Sequence, residues 1–393
     1  MPGGIAAAIV TILMPFVLRK QGIPVDRIAE VVATASIPYV WYFIYSPVVD
    51  LGLRRRSWVL LSSVTAAICC SGATLLAARS VALTTVLLFL ASAFAGVSST
   101  ANGALLSALA PSYRGRASGF LQAGNLGGGA VGGGVAIWLA GAVSLPSLAL
   151  GSMALVVAPS LAAMLIEESA PGKAEARSFA AVFGTLIHDL RLLFQSRQLW
   201  IGLVFFLSPV GSAAVGNLIS SVGPDYHAPD SEVLWVTGIA GGLLSAAGAF
   251  LGGYICDRMG RRAAYSLAGG LSAVCSLYLA VAKPTALTFG AGYSAYSVTS
   301  GFAYAVFTAL VLEVLGSGRR AAGTGYSVLV ASGNFPIIYM TWLDGIGYKH
   351  WGARGLMGVD SLGNGGGALL LLLFTWLTRS IWRRSISQNE AVA

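Results

Sequence analysis

Charge is what this sequence has least of. Aspartate, glutamate, lysine and arginine make up 10% of 393 residues, against roughly 25% in soluble domains. Apolar residues make up 56%. That balance excludes a soluble globular domain and a disordered chain. The net charge of +9 points at first to nucleic acid, but the basic residues sit in short connections between apolar runs. A topology signal explains them better, and no nucleic-acid partner is expected. The four cysteines, Cys69, Cys70, Cys256 and Cys275, fall in or at the ends of apolar runs without metal-like spacing. They read as small buried residues, so no metal site is expected. The three histidines, His188, His227 and His350, lie in separate connections, and no Asp-Asp or His-x-x-x-Asp cluster occurs. A polytopic membrane enzyme would need such groups, so no catalytic residue and no cofactor is expected. A cleavable signal peptide is also missing. The run from Pro2 to Leu18 has no basic region before it and no small-residue cleavage site after it, and reads as a first span.

Long apolar runs are what the chain has in abundance. A helix needs about 20 apolar residues to cross the hydrocarbon core. Twelve runs qualify, at roughly 2–18, 26–50, 58–78, 82–110, 117–141, 144–166, 199–222, 232–256, 263–282, 285–314, 322–345 and 355–378. If the even-numbered spans end in the cytoplasm, seventeen of the 24 basic residues face that side and seven the other. Both termini are then cytoplasmic. The longest connection, Glu167 to Gln198, divides the chain into residues 1–166, a linker 167–198, residues 199–380 and a tail 381–393. Within the linker, Phe179, Val182, Phe183, Leu186, Leu190 and Leu193 recur at helical spacing. They predict either an interfacial helix or an inward extension of the seventh span.

A charged signature appears twice, its aspartates 207 residues apart. One copy reads Gly253-Tyr254-Ile255-Cys256-Asp257-Arg258-Met259-Gly260-Arg261-Arg262; the other is Ser46-Pro47-Val48-Val49-Asp50-Leu51-Gly52-Leu53-Arg54-Arg55-Arg56. A second landmark keeps nearly the same offset: Arg116-Ala117-Ser118-Gly119-Phe120 recurs as Ala322-Gly323-Thr324-Gly325-Tyr326. Two landmarks at one offset argue for a duplicated half, and duplicated halves in a membrane protein usually build a transporter. A carboxylate at a helix C-terminus is poorly placed for its own helix dipole and seeks a basic group or another helix's N-terminus.

The signature resembles that of the major facilitator superfamily. The resemblance implies an all-α polytopic membrane fold of twelve transmembrane helices in two pseudo-symmetric six-helix halves. It also implies a cytoplasmic gate, in which Asp50 meets the start of span eleven near Gly323 and Asp257 the start of span five near Ser118. The gate residues are then Asp50, Arg54, Arg55, Asp257, Arg258, Arg261, Arg262, Arg114 and Arg116. Topology determination with snorkelling arginines is the plainer reading of the same residues. Within the superfamily, the stretch Tyr39 to Asp50 followed by Arg54-Arg55-Arg56-Ser57-Trp58 resembles the muropeptide-permease (AmpG-like) branch, which also contains siderophore permeases and acetyl-coenzyme A transporters. That likeness implies proton-driven import in a bacterial inner membrane by a monomer. Where that branch carries charges, this chain places Asn102, Asn125 and the Ser208–Ser212 stretch, which fits a neutral or zwitterionic solute better.

Transporter sites lie near the midplane between halves. Polar and aromatic residues at that depth are Tyr39, Tyr42, Gln122, Asn125, Asn217, Tyr293, Tyr296 and Asn334. Glycine stripes at Gly124, Gly128 and Gly132, and at Gly241, Ser245, Ala249 and Gly253, let helices approach closely. No Lys, Arg or His lies near the middle of a span. The acids nearer span ends are Glu30, Glu313, Asp344 and Asp360, of which Asp360 and Glu30 are the candidate proton sites. The expected function is secondary active transport of a small or medium solute by alternating access, with proton-coupled import as one option. The expected partners are that solute, protons and the lipid bilayer. A lipid flippase or a membrane sensor on the same scaffold is the alternative.

Overall fold

The computed structural model describes residues 2–45, 48–49, 53–107, 111–166, 179–315 and 322–390, and no strand occurs among them. In an apolar slab every main-chain donor and acceptor must be met within the chain, which leaves helices as the economical answer. Nine helices among the described residues are long and apolar enough to cross a membrane. The elements are α1 (Pro2–Lys20), α2 (Val25–Tyr45), α3 (Arg55–Leu76), α4 (Val81–Ser107), α5 (Pro111–Ala142) and α6 (Leu145–Leu165). Within the linker lies α7 (Phe179–Phe194), followed by α8 (Arg197–Phe206), α9 (Val215–Val222) and α10 (Asp230–Cys256). The chain ends with α11 (Arg261–Val281), α12 (Ala286–Leu315) and α13 (Ala322–Glu390).

Glycines with positive φ punctuate this run where an L side chain would be strained. Gly22 (φ 80) separates α1 from α2, and Gly260 (φ 86) caps the helix that continues α10 to Met259 and starts α11. Gly260 belongs to the charged signature, so part of that motif is turn chemistry. Gly352 (φ 64, ψ −153) folds α13 into two antiparallel arms. The turns at residues 21–24, 77–80 and Gly352 share one face with the start of α10, called distal here; the first turn of α1 and the far end of α13 lie toward the opposite face, called terminal.

The run 199–222 reads in sequence as one continuous span. The structure breaks it: α8 ends at Phe206 and α9 begins at Val215, with Gly211 (φ 74) and Ala213 (φ 52) in left-handed conformations between them. Pro209 lacks an amide hydrogen and cannot continue the ladder. The carbonyls released there are met from elsewhere. The Tyr265 hydroxyl donates to Val210 O at 2.6 Å, and Tyr339 to Leu207 O at 3.0 Å. The Gly211 amide donates to Asn364 Oδ1 at 3.3 Å.

The largest buried core crosses the linker. Ile9 and Leu13 of α1 pack in one cluster with Leu218 of α9, Leu279 of α11 and Phe289 of α12. Close backbone approaches hold it. Gly134 of α5 stands against Gly238 of α10, and Ala130 against Gly242. Within the second part, Gly248 meets the main chain of Val298 and Gly301 that of Ser245, so α10 and α12 cross almost backbone to backbone. The expected stripe through Ala249 and Gly253 is rotated by one position: Gly248 and Gly252 face α12, and a side chain at Gly253 would meet nothing within 4 Å. A helix apolar all round has no polar face to set its rotation, so spacing alone leaves that phase open.

The substitution Gly248→Leu should therefore prevent correct packing of α10 on α12 and lower stability by about 1–3 kcal/mol or more. Gly253→Leu should melt within a few degrees of the parent. Thermal unfolding in detergent, read side by side, checks both.

Candidate functional site

A cavity of ≈ 380 Å³ lies between the two parts of the chain. Residues 4–12 of α1 and 125–130 of α5 form one wall. Ala213 and Gly216 at the broken span, residues 237–246 of α10 and residues 293–300 of α12 form the other. Among the described residues, no charged side chain lines it. Two widened helical turns with i→i+5 bonding, Ile9–Leu13 and Trp235–Ala240, both border it, and such turns are frequent at functional sites. Sequence spacing carries no signal for them. The hydroxyls of Thr11, Thr237, Ser297 and Ser300 each donate to a carbonyl within their own helix. Their lone pairs remain as acceptors for a ligand's O–H or N–H.

The sequence candidates separate on this map. Asn125, Tyr293 and Tyr296 line the cavity, with the two tyrosine rings stacked at 6.3 Å and 20°. Asn217 instead donates to Thr341 Oγ1 at 3.0 Å, tying α9 to the first arm of α13. Asn334 donates to Tyr39 O at 3.0 Å, a link between α13 and α2. The Tyr39 hydroxyl is buried beside Ser92 of α4. Tyr42 is half-buried on α2. The side chain of Gln122 lies outside the described residues.

The two proton-site candidates sit in opposite surroundings. Glu30 is exposed and paired with Arg27 at 2.7 Å, beside a separate distal pocket between α2 and α4. Asp360, on the second arm of α13, is fully buried. Its carboxylate accepts from the Ser276 hydroxyl of α11 and, at 3.2 Å, from the Tyr296 hydroxyl of α12. Tyr296 thus reaches the cavity on one side and Asp360 on the other. Asn364, one turn beyond Asp360 on the same arm, is the residue that meets Gly211 in the broken span.

Of the expected gate, Asp50 and the side chains of Asp257, Arg114 and Arg116 lie outside the described residues. Arg54 is the residue at which the chain turns into α3, and Arg55 is half-buried on that helix's first turn. Arg258 stacks over the Tyr254 ring at 4.2 Å. Arg261 pairs with Glu313 of α12 at 2.8 Å. Arg262 is 7% exposed and lies over the Phe205 ring at 5.3 Å.

Sequence reasoning missed a polar bridge on the distal face. Arg19, at the end of α1, donates through Nη2 to Asp225 Oδ1 and to the Tyr348 hydroxyl, both at 3.1 Å. The Tyr348 hydroxyl donates to Asp225 Oδ2 at 2.8 Å. Beside it Lys20 Nζ meets Asp230 Oδ2 at 2.6 Å. The contacts of Arg19 and Lys20 join partners more than 200 positions apart. Arg19 and Lys20 at a helix C-terminus were the available signal, but nothing in sequence named their acids.

Comparison with known proteins agrees with this architecture. A family model for the Major Facilitator Superfamily matches residues 3–341. The chain belongs to that superfamily. Its fold is that of solved transporters. A D-xylose-proton symporter superposes with a TM-score of 0.72 at 15% identity, covering 95% of each chain. The nucleoside transporter NupG does so with a TM-score of 0.70 at 14% identity, covering 95% of this chain and 98% of that one. The inward-open conformation of the xylose transporter XylE from E. coli gives 0.66 at 14%, covering 95% and 94%. No curated protein matches the chain.

Replacing Arg19 with Gln should cost about 1–3 kcal/mol, because it strands Asp225 and Tyr348 in a partly buried network. Lys20→Gln should cost under about 1 kcal/mol, since that pair is exposed. Equilibrium or thermal unfolding of the two variants reads the difference.

Proposed function

We propose that the chain is a secondary active transporter carrying a small or medium, neutral or zwitterionic solute by alternating access, with proton-coupled import as its mode. The observation that carries this reading is the ≈ 380 Å³ uncharged cavity lined by both parts of the chain. That volume falls within the range of small-molecule sites, which run from about 300 to 1,000 Å³. Among the described residues, an ionic solute would find no counter-charge on those walls. Asn125, the stacked pair Tyr293 and Tyr296, and the acceptor hydroxyls suit a polar, hydrogen-bonding solute. A bulky cell-wall fragment, as in the muropeptide-permease branch, fits this volume less well than a sugar- or nucleoside-sized one.

Residues 1–166 and 199–380 are the two halves that rock about the cavity. The Arg19–Asp225–Tyr348 network is the latch of the distal face, and the Asp50 and Asp257 signatures are the latches of the terminal face. The excess of basic residues supports a cytoplasmic terminal face, and the branch resemblance supports a monomer in a bacterial inner membrane. Asp360, joined to the cavity by Tyr296, is the better placed of the two proton candidates, because Glu30 is already paired and solvated.

The test is a thermal-shift screen of the purified protein against neutral sugars, nucleosides and amino acids, followed by uptake of the hit into proteoliposomes. Tyr293→Ala should reduce uptake at least tenfold, and an uncoupler should collapse accumulation. Uptake unchanged by Tyr293→Ala and Asn125→Ala would sink the cavity assignment. Selective stabilisation by lipids alone would point to a flippase. For the latches, a cysteine placed at Gly216 should gain labelling from the distal side in Arg19→Gln and from the terminal side in Asp257→Asn. Unchanged labelling in both sinks the gating claim.

A further inference from the structure

Among the described residues, Asp344 and Asp360 are the acids with no solvent exposure. Both lie on α13, one on each arm. Met340 stands against Gly363, and Gly347 against Gly355 and Val359. In that antiparallel register Asp344 is level with Asp360. At that level the Tyr296 hydroxyl donates to Asp360.

Their hydrogen bonding is unequal. Asp360 accepts from the hydroxyls of Ser276 and Tyr296. Neither carboxylate oxygen of Asp344 has a hydrogen-bond partner among the described residues. An ionised carboxylate without donors, buried beside a second one, is among the costliest arrangements in a protein interior. One bound proton removes both problems: it neutralises one acid and turns it into a donor toward the other.

The surroundings supply no other remedy. On α11 the facing groups are Ser276 and Cys275, and on α12 Tyr296. From α9, Asn217 is engaged with Thr341. On α2, Arg27 and Glu30 pair with each other at the exposed distal end, and Asp26 approaches Gly345 through its main chain. Among the described residues, no basic side chain hydrogen-bonds to either carboxylate.

We propose that Asp344 and Asp360 form a single site for one proton, resident on Asp344 and transferable through Asp360 and Tyr296 to the cavity. In the first step the Asp344 O–H bond breaks and the proton joins the Asp360 carboxylate, so the negative charge moves to Asp344. In the second, Asp360 gives its proton to the Tyr296 oxygen as Tyr296 releases its own to an acceptor in the cavity, leaving the tyrosine neutral. The inference rests on the transport reading for its purpose, while the bound proton itself can be observed without a solute.

The experiment is infrared spectroscopy of the full-length protein in lipid at neutral pH, in H₂O and D₂O. The wild type should show a protonated-carboxyl band that shifts in D₂O. Asp344→Asn should lose it, because Asp360 keeps two donors and stays ionised. Asp360→Asn should keep it, and Ser276→Ala should move its frequency without abolishing it. If Asp344→Asn does not fold, wild type labelled with ¹³C-aspartate decides: the band must move with the label. No protonated aspartate in the wild type overturns the proposal. So does loss of the band in Asp360→Asn with retention in Asp344→Asn, or its disappearance when choline is exchanged for sodium. Uptake insensitive to an uncoupler would instead overturn proton coupling and leave the band in place.

Discussion

Main-chain groups that leave a helix inside an apolar slab must find partners from neighbouring elements, and the break between Phe206 and Val215 sets that demand here. Tyr265 supplies a donor to Val210 O, Tyr339 one to Leu207 O, and Asn364 an acceptor for the Gly211 amide. Those three side chains come from α11 and from both arms of α13. The break therefore fixes where α13 sits. Asn364 in turn places Asp360 one turn away on the same arm, and Asp360 accepts from the hydroxyl of Tyr296, a residue that lines the cavity. Ala213 and Gly216, at the resumption of the helix, line the same cavity. A discontinuous span, a buried acid and a solute-sized space are thus one connected arrangement.

Glycine is the second support. With 50 glycines, α5 and α10 approach at Gly134 and Gly238, and α10 and α12 at Gly248 and Gly301. Membrane helices gain little from excluding lipid, which is as apolar as leucine, so they associate through such close packing. The residues that permit contact on one side of α10 leave the cavity-facing side open at Gly241 and Gly242. The scarce charges follow a complementary pattern. They pair where water reaches, as Arg19 and Lys20 do with Asp225 and Asp230. Among the described acids, the fully buried Asp344 and Asp360 stand out because burying charge is costly unless a specific partner compensates.

Much of the fold was legible in sequence. Runs of apolar residues announce spans, since the hydrocarbon thickness imposes a length that composition alone can meet. The duplicated signature pointed to the superfamily, and Gly260 explains part of its form: a reversal between α10 and α11 at φ 86 needs glycine. The candidate site was legible by residue type and depth for Asn125, Tyr293 and Tyr296. It was not legible for Asn217 and Asn334, which tie helices together. A polar side chain at midplane depth looks the same in sequence whether it faces a neighbour or a cavity, because the rotation of an all-apolar helix has no one-dimensional signal.

By itself, then, the sequence determined that the chain lives in a membrane, that it is built of apolar helices, and which superfamily it belongs to. These follow from local rules: apolar length, turn glycines and the placement of charge. Only the tertiary structure decided that the seventh apolar run is broken, that Arg19 meets Asp225 and Tyr348, and that Asp344 lies level with Asp360 across the α13 hairpin. Each of these depends on contacts between residues far apart in the chain, and such contacts exist only once helices have chosen their neighbours and their rotation.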